Sequence, residues 1–301
     1  MILLQFVVLI GCGGLQGYAQ APLNSEVTAL AQRLSKITAY EAYGTVKVTH
    51  SEAAMVGVQA QPNSQKVKLF KFHVWSKGLS TKEQFDQLNS DGGIITSETY
   101  YESEKQVATV AASRYARISS KKPGSKLGIR NVNPIFMEYS FLDRRTTIDG
   151  IPSFSSPMID TGETLTGLLS KPPPAKDSGD KVTLNRDGRD FLVTFANPIT
   201  EGKLTPQKIE MSDPSNNSFI TVDVLSKVAY PILGEGAKEI RMTTNAKMEV
   251  DQPPVLLAVW EFGISKLIVN APIRDEEVEF DPATVDSIWD NDKKVNITVS
   301  K

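Results

Sequence analysis

The sequence predicts an α+β fold: one large, curved antiparallel β-sheet with an N-terminal amphipathic helix and short helices covering its concave face. Three observations carry this. Strand-like runs bounded by turn residues recur through most of the 301 residues, which is the pattern of a hairpin-built sheet. The strongest helical period lies near the N-terminus and has a single apolar stripe, which needs a surface to cover. The composition, 40% hydrophobic and 23% charged, is that of a globular chain with ample material for a core.

The chain opens on an export signal. Its first charged residue is Glu26, and Ile2 to Ile10 is an apolar run broken only by Gln5. Small residues and then Gly17-Tyr18-Ala19 follow, a secretory h-region with cleavage before Gln20. The run is shorter than the roughly 20 apolar residues a bilayer-spanning helix needs. The sequence thus divides into a signal peptide over 1–19 and one domain over 20–301, with a Pro-rich internal linker near 171–180. Leu9-Ile10-Gly11-Cys12 gives a second reading. It resembles a bacterial lipobox, with Cys12 as the lipidated first residue and Gly13 to Gly17 as a flexible tether. In both readings the chain is exported to a periplasm, soluble in the first and membrane-anchored through Cys12 in the second.

The helix follows. Val27, Leu30, Ala31, Leu34 and Ile37 share one face, Asn24 or Ser25 serves as N-cap, and Gly44 lies past the end. Strands then alternate: Gly44 to His50, Lys66 to Trp75, a hairpin of Ile94–Tyr101 with Gln106–Ala111 about the turn at 102–105, and Arg114 to Ser119. The middle breaks this rhythm. Ile135 to Leu142 fits a short helix or lid, and Asp160-Thr161-Gly162-Glu163 has capping-box spacing before Leu165, Leu168 and Leu169. Pro172-Pro173-Pro174 ends any helix there. Beyond it, Val182–Leu184 and Phe191–Phe195 flank Asp187-Gly188, a strong hairpin signal. Lys208–Met211 and Phe219–Leu225 form a second hairpin, followed by strand-like runs at Glu239–Thr244, Val255–Val269 and Val295–Val299. Strand-rich segments on both sides of the linker can be halves of one curved sheet, or two small β domains.

Rare residues narrow the chemistry. One Cys cannot form an intrachain disulfide, and two His, His50 and His73, make a poor zinc site. The sequence holds no G-x-S-x-G elbow, no H-E-x-x-H, no C-x-x-C, no Walker loop and no complete dinucleotide fingerprint. Asp290-Asn291-Asp292 lacks the Gly and distant Glu of a calcium loop. Glu98, Glu102 and Glu104 fall at even spacing on a strand-and-turn edge, where solvent-facing residues are expected. No enzyme, cofactor or metal is expected. A net charge of −2 gives no field for nucleic acid, and the basic group from Arg114 to Arg130 reads as a solvated face. What remains is apolar and aromatic.

Three segments resemble a known family. Ala29 to Tyr40, running into a Val-rich strand, looks like the opening of the LolA/LolB-type periplasmic lipoprotein carriers. The hairpin around Thr99 to Lys105 is similar to the superfamily's aromatic strand entering a polar turn, and Val278 to Ala283 is similar to its closing segment. The resemblance implies a half-barrel around a hydrophobic cavity lidded by helices, and a non-enzymatic protein that carries or senses lipid or the acyl chains of lipoproteins. The alternative is an envelope structural or signalling protein that binds another protein through its β-surface, with a filled core.

The expected site follows from strand parity. Phe70, Phe72 and Val74 project from one face while Lys71 and His73 take the other. With Tyr101 and Phe262 they should line the concave face, closed by Phe136, Phe141, Leu165 and Leu169. The expected partner is a lipid or a lipoprotein acyl chain, with an envelope protein as the other candidate and membrane contact through a Cys12 anchor.

Overall fold

The computed structural model describes residues 33, 36–55, 66–78, 80–103, 106–120, 135, 176–178, 181–186, 189–195, 206–213, 218–247 and 253–299. Cys12, the body of the N-terminal helix and the segments 136–142 and 161–170 lie outside them.

Strands dominate. The first half contributes β1 (Ala39–His50), β2 (Val67–Lys77), β3 (Ser80–Leu88), β4 (Ile94–Glu102), β5 (Gln106–Ala111) and β6 (Tyr115–Ser120). The second contributes β7 (Lys176–Ser178), β8 (Lys181–Arg186), β9 (Arg189–Phe195), β10 (Pro206–Asp213), β11 (Ser218–Tyr230), β12 (Gly234–Ala246) and β13 (Val255–Val269), then β14 (Ser287–Asp290) and β15 (Val295–Thr298). Two single-turn helices, α1 (Glu52–Met55) and α2 (Asp275–Val278), complete the described elements with a 3-10 turn at Pro282–Thr284. Among the described residues, no helix is long and apolar enough to cross a membrane.

All fifteen strands join one sheet, in the order β15-β14-β6-β5-β4-β3-β2-β1-β13-β12-β11-β10-β9-β8-β7. Each half is a meander, as its short turns require, and the halves meet where β1 lies antiparallel to β13. Strands from both sides of the 171–180 stretch therefore share a single sheet, and Lys176–Ser178 within that stretch forms β7. Among the described residues the one parallel pair is β6 with β14. It needs a crossover, which residues 270–286 supply by passing over one face of β1–β5.

Alternation in β1 sets the faces. Tyr40, Ala42, Val46 and Val48 are buried, whereas Thr45 and Lys47 are exposed. Register carries the Val46 parity across the sheet, and its side holds one continuous core that runs from Phe85 on β3 through Phe72, Val46, Phe262 and Met242 to Val193 and Phe195 on β9. Each such fully buried aliphatic or aromatic side chain contributes about 1.5–3 kcal/mol.

The opposite face is mostly polar on β10–β13, with Phe219 and Val259 among its residues. Lys47, Glu261 and Arg241 stand opposite one another on three adjacent strands and form a charge ladder, with Lys47 3.1 Å and Arg241 3.4 Å from the Glu261 carboxylate. On β1–β5 it is covered by the crossover. Ala271, Ile273 and Val278 bury Ala39 and pack on Trp75 and Ile268. Lys77 pairs with Asp275 at 2.8 Å, and Phe280 packs on Tyr101 at 5.7 Å between centroids. Further along, Val285 and Ile288 bury Ala116.

This corrects the expected place of Tyr101. Its register partner is Lys82, whose partner is Trp75, opposite Glu41 of β1. That row lies on the covered face, away from Phe72. Tyr100, its neighbour, takes the apolar-face side, opposite Glu83. Glu98 and Glu102 share the Tyr100 parity and are half-buried, so they do not lie on a solvent-facing edge.

Candidate functional site

The apolar face is the chemical centre of the molecule. Its longest row is Val48, Trp260, Met242, Val222, Ile209 and Val193, each directly opposite the next across six strands. The row beside it runs Phe70, Val46, Phe262, Ile240 and Val224. β-Branched and aromatic residues fill these positions because they pack well on a pleated surface. Phe72, Val74 and Phe262 are buried here, and Phe70 is partly buried against them. Phe72 faces Phe85 on β3, with ring centroids 6.3 Å apart, a spacing at which aromatic pairs attract.

Gly44 shapes this region. It lies between Phe72 and Ile264 in register, and a Cβ there would collide with the Phe72 ring and the Gly263 carbonyl oxygen. The absent side chain lets the Phe72 ring lie over Gly44 of β1.

Phe136, Phe141, Leu165 and Leu169 lie outside the described residues. Ile135, the residue before Phe136, is 1% exposed and belongs to the apolar cluster. So does Ile37, the last residue of the expected helical stripe. Two of the three expected covering segments thus place one described residue each against this face.

Beyond Phe85 the same side becomes polar. Glu83, Tyr100, Thr109 and Arg117 follow one another in register on β3–β6. Glu83 and Thr109 are each 8% exposed. Ser76 and Thr81, opposite each other on β2 and β3, share a hydrogen bond at 3.4 Å. The face therefore has two chemistries, hydrocarbon from β9 to β2 and polar from β3 to β6, with Phe85 at the border.

On the covered face, His73 lies between Tyr43, on which it stacks with ring centroids 3.7 Å apart, and Trp75, which is tilted against it at 3.3 Å. Glu41 accepts from the Tyr43 hydroxyl at 2.6 Å and lies 2.8 Å from His73 Nε2. The bond to Glu41 pushes the Tyr43 phenol up to about 12. Burial raises the Glu41 carboxyl, but the hydrogen bonds from Tyr43 and His73 outweigh it and hold the group below its ordinary value. Burial holds the His73 imidazole low despite Glu41. At neutral pH this is a neutral imidazole donating from Nε2 to a carboxylate. It is a packed hydrogen-bonded cluster.

Sequence reasoning missed Met242 and Ile209 and left Trp260, one of the aromatic residues on expected strands, out of the expected site. The signal was the alternation of Val46 and Val48 in β1, which marks the face but not the partners opposite. No protein-family model and no curated protein matches the chain. Among solved structures, the chain is similar to a domain from Vibrio parahaemolyticus described as outer membrane lipoprotein-sorting, at 11% identity and a TM-score of 0.47, with 85% of this chain and 96% of that one covered. It is also similar to a DUF1329 family protein from Desulfovibrio piger, at 8% identity and a TM-score of 0.38, with the same coverage.

Proposed function

We propose that the chain is a non-enzymatic, exported binding protein that shields a lipid, or the acyl chain of a lipoprotein, in the periplasm. The observation that carries this reading is the extent of the apolar face. Six apolar residues stand in register across six strands, from Val48 to Val193, with Phe70, Phe72 and Phe262 beside them. Hydrocarbon requires no polar partner. Each buried methylene contributes about 0.8 kcal/mol, so a chain of about a dozen carbons is held by such a face alone. The polar stretch around Glu83 and Tyr100 suits a ligand whose apolar chain ends in a polar head. The resemblance of 29–40, 99–105 and 278–283 to lipoprotein carriers supports the same reading.

In this reading Phe70, Phe72, Val74 and Phe262 contact the chain, and Phe136, Phe141, Leu165 and Leu169 close over it. Titration with a fluorescent fatty acid tests it. Wild type should bind saturably, Phe72→Glu should abolish binding, and Phe141→Ala should weaken it with the fold intact. No saturable binding, together with no lipid in an organic extract of the purified protein, would favour the envelope protein with a filled core. Mass spectrometry of the mature N-terminus separates the two export forms: Gln20 first means soluble, acylated Cys12 means anchored.

A further inference from the structure

The sheet is open, and its two edge strands are built differently. β7, at one edge, is three residues long and carries Lys176 and Asp177. Shortness and charge of this kind keep an edge from pairing with another chain. β15 forms the other edge, and from Val295 to Val299 it holds neither a charge nor a proline. Every residue of the strand is exposed.

An apolar row runs out to this edge. Val110, Ala116, Ile288 and Ile297 stand opposite one another on β5, β6, β14 and β15. Ala116 and Ile288 are buried, whereas Ile297 is 41% exposed and Val295, on the same side, 43%. Val299, two residues further on, packs against the Ala116 cluster. The side that is core on β6 and β14 is therefore laid bare on β15.

One bond fixes which way the backbone of β15 points. The Val299 N–H donates to the Asp286 carbonyl at 3.1 Å, and the register sets Ile297 opposite Ile288. Bonded and non-bonded pairs alternate in an antiparallel ladder, so Val299 and Ile297 turn their polar groups to β14. Asn296 and Thr298 turn theirs outward, where among the described residues no strand pairs with them.

A strand added here must bond to Asn296 and Thr298 and meet Val295, Ile297 and Val299 with apolar side chains. The same strand, turned about a two-fold axis at Ile297, does both. Asn296 then meets Thr298 of the second copy in a bonded pair, and Val295 meets Val299. Ile297 meets its own copy in a non-bonded pair, where side chains are closest. Moving the axis to Asn296 or to Thr298 sets a lysine, Lys293 or Lys301, opposite a valine.

We propose that β15 is the seam of a symmetric homodimer, in which two copies pair this strand antiparallel about Ile297. The interface is isologous, as a closed two-fold dimer requires, and small, so the dimer is reversible. It does not depend on the acyl-chain reading.

Sedimentation velocity on the exported chain tests the seam, and the dimer fraction should rise with protein concentration. Asn296→Pro removes an outward-pointing N–H, which an edge strand tolerates, and should weaken dimerisation at least about tenfold with the urea midpoint unchanged. Ile297→Lys and Ile297→Glu should each be monomeric alone and form dimers when mixed, a recovery that a folding defect would not give. On a Cys12→Ser background, Ile297→Cys should crosslink on oxidation, since Cα atoms in such a pair lie about 4.5 Å apart, within disulfide reach. Asn296→Cys and Thr298→Cys should not. Wild type that stays monomeric at every concentration overturns the seam, as do dimers that persist in Asn296→Pro. Failure of the Lys/Glu mixture to dimerise, or crosslinking through position 296 or 298 in place of 297, overturns the axis at Ile297.

Discussion

Gly44 shows how one missing side chain sets the geometry of the apolar face. Phe72 lies over it, so Gly44→Ala forces the ring and the β1–β13 bulge at Tyr43/Gly44 to shift together. Overpacking of this kind costs about 1–3 kcal/mol or more, and the urea midpoint of Gly44→Ala should fall accordingly. A midpoint equal to wild type would mean that Phe72 does not rest on β1. The two histidines set a pH dependence. Burial holds the imidazole of His73, and of His50, below the ordinary value of 6.5. As pH falls through 6.5 the unfolded chain takes up protons that the folded one resists, so stability drops with falling pH. Glu41, held below its ordinary value of 4.5, adds a second loss as pH falls below that value. Urea midpoints should therefore decline from pH 7 to 5.5, and the double variant His50→Gln/His73→Gln should be flat over that interval while still declining below 4.5. A double variant that follows the wild-type slope would sink the assignment.

At the level of elements, the sequence was readable where chemistry and period agree. β13, with its long run of aliphatic and aromatic residues, and the β4–β5, β8–β9 and β10–β11 hairpins fall where alternation and turn residues put them. β3 was not legible. Ser80–Leu88 reads S-T-K-E-Q-F-D-Q-L, with one β-branched residue, and it is a strand because β2 and β4 pair with it on both sides. Tertiary pairing overrides weak local preference here. β14 was hidden for the same reason, being four residues long and paired in parallel with β6. Tyr101 shows the limit for the site. Tyr100 and Tyr101 are adjacent, so one must face each way, and only the register through β3 to β2 tells which. The consequence is testable with Phe85→Ala and Tyr101→Ala. Phe85 is 4% exposed against Phe72, so its truncation should cost about 3–5 kcal/mol and weaken the fatty-acid probe. Tyr101→Ala, which loses the Phe280 contact on the other face, should leave probe affinity within about twofold. Equal effects on the probe would contradict the separation of faces.

Across the whole molecule, two meanders become one sheet because β13 returns beside β1, and this long-range pairing leaves no trace in local sequence. Its result is a division of labour between faces. The Phe72 side is hydrocarbon over most of its width. The other side is covered by the C-terminal crossover on β1–β5 and carries the Lys47–Glu261–Arg241 ladder further along. Tryptophan happens to mark both sides: Trp260 packs against the apolar cluster, and Trp75 packs under the crossover. The most direct measurement is fluorescence quenching by a brominated fatty acid in two single-tryptophan variants. One keeps Trp260 (Trp75→Phe/Trp289→Phe) and the other keeps Trp75 (Trp260→Phe/Trp289→Phe). Saturable quenching of Trp260 with Trp75 left bright is the predicted result. Quenching of Trp75 to the same degree, or no quenching of Trp260 at saturating lipid, would contradict an apolar face that holds the chain.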